Sequence, residues 1–251
     1  MKQIPILGVN IADLSYKETI NQIALFIVSK KPHHIVTANP EILMEAQKNK
    51  EYKKIVMNAN LCLPDGAGLW WASKYQGDTL KHRITGIDLI YEICKFAAKK
   101  RKKIFLLGGQ NNVAQIAAQN LQDKYSHLKI CGTYEGFPVL KKKLSQKEKI
   151  NNFNIINQVL KAKPDILLVA YGAPKQELFI NKYKKELNIP VMIGVGGAFD
   201  FISGRIKRAP KWMQIIHLEW LYRLIQQPSR HNRIITATIR FPWKIITTKN
   251  N

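Results

Sequence analysis

The stretch that decides the fold is residues 166–197, ILLVAYGAPKQELFINKYKKELNIPVMIGVGG. It begins with an apolar run from Ile166 to Ala170 and continues through a turn containing glycine and proline. A helix is predicted from Lys175 to Leu187, and a second apolar run follows from Val191 to Val195. A short apolar strand, a helix and another apolar strand are typical of a parallel βαβ unit. The stretch therefore predicts an α/β fold.

The same alternation extends over most of the chain. Ile35 to Thr37 and Ile104 to Leu107 are further predicted strands. Predicted helices cover Ser15 to Lys30, Pro40 to Met57, Gly86 to Lys100, Asn111 to Tyr125 and Gln146 to Lys161. A length of 251 residues fits one large domain with an appendage. We expect a Rossmann-like, mostly parallel sheet flanked by helices.

Near Gly204 the composition becomes basic, because ten Lys and Arg residues follow against one acid, Glu219. We therefore expect a catalytic domain over residues 1–203 and a basic helical appendage over residues 204–251. Pro210 to Gln227 is predicted as one helix, apolar nearly all round. After it, Arg230, Arg233 and Arg240 are predicted on one side of a helix, which is typical of a membrane-surface helix. A helix docked on the core with a solvated basic face is the alternative.

The net charge indicates an anionic partner, because the chain has 40 Lys and Arg but only 17 Asp and Glu, which gives a formal charge of +23. Nucleic acid, anionic lipid or a phosphorylated substrate would each fit. Three widely spaced cysteines indicate reduced thiols, and no run reaches the roughly 18 apolar residues of a spanning helix. We expect a cytoplasmic protein. The sequence has neither Asp-x-Asp nor His-x-x-His, so we predict no metal and no cofactor.

Candidate site residues follow the predicted strands, because ligands of open parallel sheets bind outside the carboxyl ends of the strands. They are Thr37, Asn39, Gly108, Gly109, Gln176, Gly196 and Gly197. The glycines would let a diphosphate approach backbone N–H groups, although tight turns explain each cluster equally well. No Gly-x-Gly-x-x-Gly fingerprint and no Walker motif is present, which disfavours a nicotinamide-dependent oxidoreductase.

Asp65 is the leading candidate among the acidic residues, because it lies between Pro64 and Gly66 after an apolar stretch. Such a carboxylate suits a general base, and a turn or N-cap aspartate is the alternative. Arg83 would clamp a phosphate or carboxylate, or else form an exposed salt bridge. Weaker candidates for the base are Asp88, Glu177 and Asp200.

An ordered set of motifs covers nearly the whole chain. It comprises TANPE (37–41), PDG (64–66), RITG (83–86), LLGG (106–109), GAPKQE (172–177), GVGGAFD (194–200), RAPKWMQ (208–214) and LEWLYRL (218–224). The set resembles the teichoic-acid N-acetylmannosaminyltransferase family, the WecG/TagA/CpsF group. The chain departs from the family pattern at Ile215-Ile216-His217.

The resemblance implies an inverting, metal-independent glycosyltransferase at the inner face of a bacterial membrane. Its donor would be UDP-N-acetylmannosamine and its acceptor undecaprenyl-diphosphate-N-acetylglucosamine. By the same likeness Asp65 is the catalytic base, and Thr37, Asn39, Arg83 and Gln176 line the substrate site. Arg223, Arg230 and Arg233 of the appendage would complete the site at an anionic membrane surface. A nucleic-acid-binding protein that uses the basic tail is the alternative, although no nucleic-acid motif appears. Self-association stays open.

Overall fold

The computed structural model describes residues 1–141 and 143–249. The strands are β1 (Gln3–Ile6), β2 (Val9–Ala12), β3 (His33–Ala38), β4 (Leu61–Pro64), β5 (Lys103–Gly108), β6 (Lys129–Tyr134), β7 (Ile166–Ala170) and β8 (Val191–Gly194). The helices up to residue 203 are α1 (Tyr16–Ser29), α2 (Pro40–Lys48), α3 (Lys50–Met57), α4 (Ala67–Gln76), α5 (Gly86–Lys100), α6 (Val113–Lys124), α7 (Gln146–Ala162), α8 (Lys175–Leu187) and α9 (Ala198–Ile202).

Over its described residues, up to 249, the predicted appendage (204–251) contains four short α-helices: α10 (Lys211–Ile215), α11 (Glu219–Gln226), α12 (His231–Ile235) and α13 (Phe241–Lys249). A 3₁₀ turn at Pro228–Arg230 joins α11 to α12, and a π-helical segment at Thr236–Arg240 joins α12 to α13. Within the described residues, no helix is both long and apolar enough to cross a membrane.

Six of the strands form one parallel sheet in the order β4-β3-β8-β7-β5-β6, and β1 pairs with β2 as a separate antiparallel hairpin. The predicted α/β class is confirmed. Helices cover both faces, so successive residues of a strand are buried on opposite sides. In β5, Ile104 and Leu106 pack with one core cluster, whereas Phe105 and Leu107 pack with another. This double burial accounts for the nearly continuous apolar runs in the sequence.

Two predicted helices are wrong in extent. The segment Pro40 to Met57 is divided at Asn49, whose side-chain oxygen accepts a hydrogen bond from Tyr52 N–H at 3.0 Å and caps a new helix. The segment Pro210 to Gln227 is divided around His217, which has a left-handed φ of 62°. Both interruptions use local backbone geometry that apolar periodicity does not reveal.

The last helix joins the appendage to the rest of the protein. Phe241 and Ile245 of α13 are fully buried in the core cluster that also contains Ile42 of α2 and Leu69 of α4. Other apolar side chains of the appendage are more than half exposed: Trp212, Ile215, Ile216, Ile225, Ile239 and Trp243. The appendage is therefore anchored at its far end while much of its apolar surface meets solvent.

Candidate active site

A cavity of about 800 Å³ lies over the carboxyl ends of the parallel strands and is closed on one side by the appendage. All of the predicted site residues except Gly108 line it: Thr37, Asn39, Asp65, Arg83, Gly109, Gln176, Gly196, Gly197, Arg223, Arg230 and Arg233. Gly108 has a φ of 107°, and a Cβ there would come within 2.9 Å of the Ala170 backbone. Its place in the fold is that of a tight turn.

Asp65 directly follows β4 and opens into this cavity. Its N–H donates to the Ala38 carbonyl at 2.7 Å, which continues the pairing of β4 with β3. Its carboxylate oxygen Oδ2 accepts a long hydrogen bond of 3.4 Å from Gly86 N–H, at the start of α5. Two secondary-structure elements thus hold the carboxylate, and its exposed side faces the cavity.

The environment of Asp65 suits proton transfer. Burial raises the pKa of the Asp65 carboxyl to about 6, and the negative charge of Glu219 acts in the same direction. The Gly86 N–H and the guanidinium groups of Arg83 and Arg223 lower the pKa and limit the rise. A carboxylate with a pKa near the working pH accepts a proton more effectively than an ordinary exposed one.

The three weaker acids are placed differently. Asp88 accepts a two-pronged ion pair from Arg208 at 2.6 and 2.7 Å, which occupies both of its oxygens. Glu177 is fully buried outside the cavity. Asp200 lines the cavity, beside the appendage arginines at Gly197.

Thr37 is the next-to-last residue of β3, Asn39 directly follows the strand, and both side chains also support the local structure. The Thr37 hydroxyl donates to the Gly194 carbonyl at 2.9 Å and so ties β3 to β8. Asn39 Oδ1 accepts a 3.0 Å hydrogen bond from Ile42 N–H and caps α2. Each side chain therefore has a structural partner as well as a place in the cavity wall.

Gln176 uses both ends of its amide inside the protein. Gly196 N–H donates to its Oε1 at 2.9 Å, and its Nε2 donates to Glu177 Oε1 at 2.7 Å. The second Glu177 oxygen accepts a 3.0 Å hydrogen bond from the hydroxyl of the buried Tyr52. The geometry makes Gln176 a support for the loop after β8. The sequence gives no sign of the Tyr52 contact, since Tyr52 lies 125 residues away.

Arg223 and Arg230 reach the loop after β8 from the appendage. A Cβ on Gly197 would come within 2.8 Å of Arg223 Nη2 and 3.8 Å of Arg230 Nη2, so glycine leaves room for them. The Nε and Nη2 atoms of Arg223 are buried and have no hydrogen-bond partner among the described residues. The Arg223 guanidinium lies over the Phe201 ring, 4.9 Å from its centroid.

Burial and repulsion from neighbouring arginines disfavour the charged forms of these two side chains. Desolvation lowers the pKa of Arg223, with the charge of Arg233 as a further cause. Desolvation likewise lowers the pKa of Arg230 to about 10, and Arg223 and Arg233 add to the effect. The unpaired buried donors of Arg223 would be stabilised by an anion that accepts their hydrogen bonds.

Three further arginines of the cavity have acidic partners. Arg233 forms an ion pair with Glu41. Arg83 Nη2 donates to Glu219 Oε2 at 2.5 Å, and Arg208 pairs with Asp88 and Glu219. Sequence analysis did not single out Arg208 or Glu219 as site residues, although both lie within the quoted motifs. Over residues 1–141 and 143–249, no three His, Cys, Asp or Glu side chains are grouped so that they would hold a metal ion.

Comparison with known proteins extends the resemblance. The chain is 38% identical over 202 residues to the N-acetylglucosaminyldiphosphoundecaprenol N-acetyl-beta-D-mannosaminyltransferase of Bacillus subtilis strain 168, covering 80% of this chain and 75% of that protein. It is 31% identical over 249 residues to the enzyme of the same name from Staphylococcus aureus strain MW2, covering 98% and 93%. Residues 4–251 match the glycosyl transferase family WecG/TagA/CpsF. With nearly its full length matched, the chain belongs to the WecG/TagA/CpsF family of glycosyl transferases.

Proposed function

We propose that this glycosyltransferase moves N-acetylmannosamine from UDP-N-acetylmannosamine to undecaprenyl-diphosphate-N-acetylglucosamine, with inversion at the anomeric carbon. One observation carries the proposal. A single cavity brings the Asp65 carboxylate, with its raised pKa, together with Arg223, whose buried Nε and Nη2 have no hydrogen-bond partner among the described residues, and with the neighbouring Arg230. The names of the bacillary and staphylococcal relatives supply the sugar and the lipid acceptor. Wall teichoic acid or a related surface polysaccharide is the expected destination.

Each charged group has one part in the reaction. Asp65 takes the proton of the acceptor hydroxyl as its oxygen attacks the anomeric carbon of the donor sugar. The bond from that carbon to the UDP oxygen breaks on the opposite face, which inverts the configuration. Arg223 and Arg230 stabilise the negative charge that develops on the departing diphosphate. Thr37, Asn39, Arg83, Gly109, Gly196 and Gly197 complete the walls that hold the substrates.

The appendage has a second proposed role, at the membrane. Trp212, Ile215, Ile239 and Trp243 are at least 60% exposed on a segment with ten Lys and Arg residues. Apolar side chains inserted among headgroups, next to cations that attract anionic lipid, bind a protein to a membrane surface. The lipid-linked acceptor would then be presented to the cavity at the inner face of the cell membrane. Nucleic acid is not part of this proposal.

A UDP-release assay tests the reaction. Purified protein is given a short-chain lipid-diphosphate-N-acetylglucosamine acceptor and, separately, UDP-N-acetylmannosamine, UDP-N-acetylglucosamine and UDP-glucose. We expect acceptor-dependent UDP release with the first donor above the other two. Release should continue in excess EDTA, because Arg223 and Arg230 supply the positive charge that a divalent ion would bring. Preference for another donor, or no acceptor dependence, would refute the substrate assignment.

A further inference from the structure

Glu219 is the appendage's one acid, and it projects into the catalytic cavity. Its Oε2 accepts a hydrogen bond from Arg83 Nη2 at 2.5 Å, and its Oε1 lies 3.4 Å from Arg208 Nε. The Arg83 side chain also meets His217 Nδ1 through Nη1 at 2.7 Å. One carboxylate of the appendage is thus held by two arginines, and its neighbour His217 by one of them.

Both arginines connect Glu219 to residues 1–203: Arg83 belongs to that part of the chain, and Arg208, although it lies in the appendage, is bound to it. Arg208 is tied to Asp88 by two hydrogen bonds of 2.6 and 2.7 Å. Asp88 lies in the first turn of α5, where Thr85 Oγ1 donates to it at 2.7 Å. Arg83 precedes that helix by three residues. The start of α5 and the residues just before it therefore hold both of the arginines that contact Glu219.

Glu219 begins α11, the helix that carries Arg223. The two residues are four positions apart, so they share one face of the helix. No residue of α11 is fully buried, and its apolar residues Leu221, Tyr222 and Leu224 are only partly buried, so apolar packing alone does not fix this helix. The chain bends at both of its ends, at His217 with its φ of 62° and in the 3₁₀ turn from Pro228. Polar contacts therefore contribute to the direction of α11.

We propose that Glu219 is a latch whose ion pairs with Arg83 and Arg208 place Arg223 over Gly197. Glu219 is then a positioning residue, and Arg83 contributes to turnover by holding it. The inference rests on the proposed function, in which Arg223 binds the diphosphate. The paired side chains of Arg83 and Glu219 are only 20% and 29% exposed. Such a half-buried, directly hydrogen-bonded pair fixes geometry more firmly than an exposed one does.

A double-mutant cycle separates a latch from independent contacts. Arg83→Gln, Glu219→Gln and the double variant are compared for kcat/KM of the UDP-sugar at pH 8, where the Asp65 carboxyl is ionised in all of them. We expect each single variant to lose about tenfold and the double variant to lose little more than that, because both changes break the same Arg83–Glu219 pair. Multiplying losses, or a Glu219→Gln enzyme as active as the wild type, would overturn the latch.

Limited trypsin digestion gives a readout independent of substrate, since the appendage offers many Lys and Arg sites. We expect both single variants and the double variant to be cut within residues 204–251 several times faster than the wild type. Asp78→Asn, which breaks the exposed Lys2–Asp78 ion pair, is the matched control and should digest at the wild-type rate. Wild-type digestion of Glu219→Gln would refute the latch. Arg223→Ala that binds UDP normally would refute the proposed diphosphate site, while the digestion result still decides the latch.

Discussion

Residues 1–203, the proposed catalytic domain, and residues 204–251, the proposed appendage, are organised by different forces. In the sheet, alternate residues are buried on both faces, so the burial of apolar side chains fixes the positions of the strand ends. In the described part of the appendage, few apolar side chains are buried, namely Ile206, Ala209, Met213, Phe241 and Ile245. Charge pairs and an exposed apolar surface dominate the rest. The site is built where these two kinds of structure meet.

The two regions also bring opposite charges to the cavity. The catalytic domain brings Asp65, whose pKa is raised by burial, and the appendage brings Arg223 and Arg230, whose pKa values are lowered by burial. In the free protein, burial therefore disfavours the charged form of each group. The difference suggests a division of labour, with proton transfer in one region and stabilisation of the leaving group in the other.

Removing the appendage should have the largest effect. From the sequence alone, a chain ending at residue 203 is expected to stay folded but to lose catalysis and liposome binding. The structure adds a cost to folding, because Phe241 and Ile245 leave holes beside Ile42 and Leu69. We expect turnover to fall by about 10³-fold or more and the melting temperature to drop. Turnover and liposome binding close to those of the full chain would contradict this account.

Asp65→Asn should be next in size, because an amide does not accept the hydroxyl proton. We expect kcat to fall by about 10²–10⁴-fold while the melting temperature changes little. Asp200→Asn is the matched control, since Asp200 is the other cavity acid that was considered for this role. A greater loss in Asp200→Asn than in Asp65→Asn would transfer the role of base to Asp200.

The pH profile should show the raised pKa of Asp65. Because the base must be deprotonated, activity should decrease as the pH falls through about 6, reaching about half of its plateau there. Glu219→Gln removes a negative charge that raises this pKa, so its acid limb should move to lower pH. Initial rates from pH 5 to 8.5 measure both curves. A limb that stays near pH 4, the usual range of an aspartate, would contradict the buried environment.

Much of the sheet and of the strand-end positions follows from local sequence. A strand buried on both faces is a short apolar run, and polar residues directly after it, such as Asp65 and Asn39, have to lie at one edge of a parallel sheet. The sequence patterns predicted neither the β1–β2 hairpin nor β6. For β6 the reason is that it has no continuous apolar run, since its sequence is Lys129-Ile130-Cys131-Gly132-Thr133-Tyr134.

The sequence alone does not predict which distant side chains pair with each other. Glu219 meets Arg83 from 136 residues away, and Arg208 meets Asp88 from 120, with no local pattern to mark either. Gln176 was predicted to line the substrate site, and it does border the cavity. Its amide nevertheless turns inward, because Gly194 has no side chain to exclude it. Which polar atoms remain free for a ligand is decided by the whole fold.

The smallest expected effect concerns the exposed apolar residues of the appendage. Ile239→Ser combined with Trp243→Ser removes two side chains that are 62% and 70% exposed and lie outside the cavity. We expect binding to anionic liposomes to weaken by about tenfold, because partial burial of two such side chains contributes one to two kcal/mol. Turnover of a water-soluble acceptor analogue should be unchanged. Unaltered liposome binding would show that other residues carry the membrane contact.

Titration of UDP into matched variants tests the central claim most directly, namely that the catalytic domain supplies the base and the appendage binds the diphosphate. Arg223→Ala and Arg230→Ala should each weaken UDP binding by about tenfold or more, because each removes a charge-assisted contact. Asp65→Asn should bind UDP at least as tightly as the wild type while its kcat is strongly reduced. Normal UDP affinity in both arginine variants, or a large loss of affinity in Asp65→Asn, would contradict this division between the two regions.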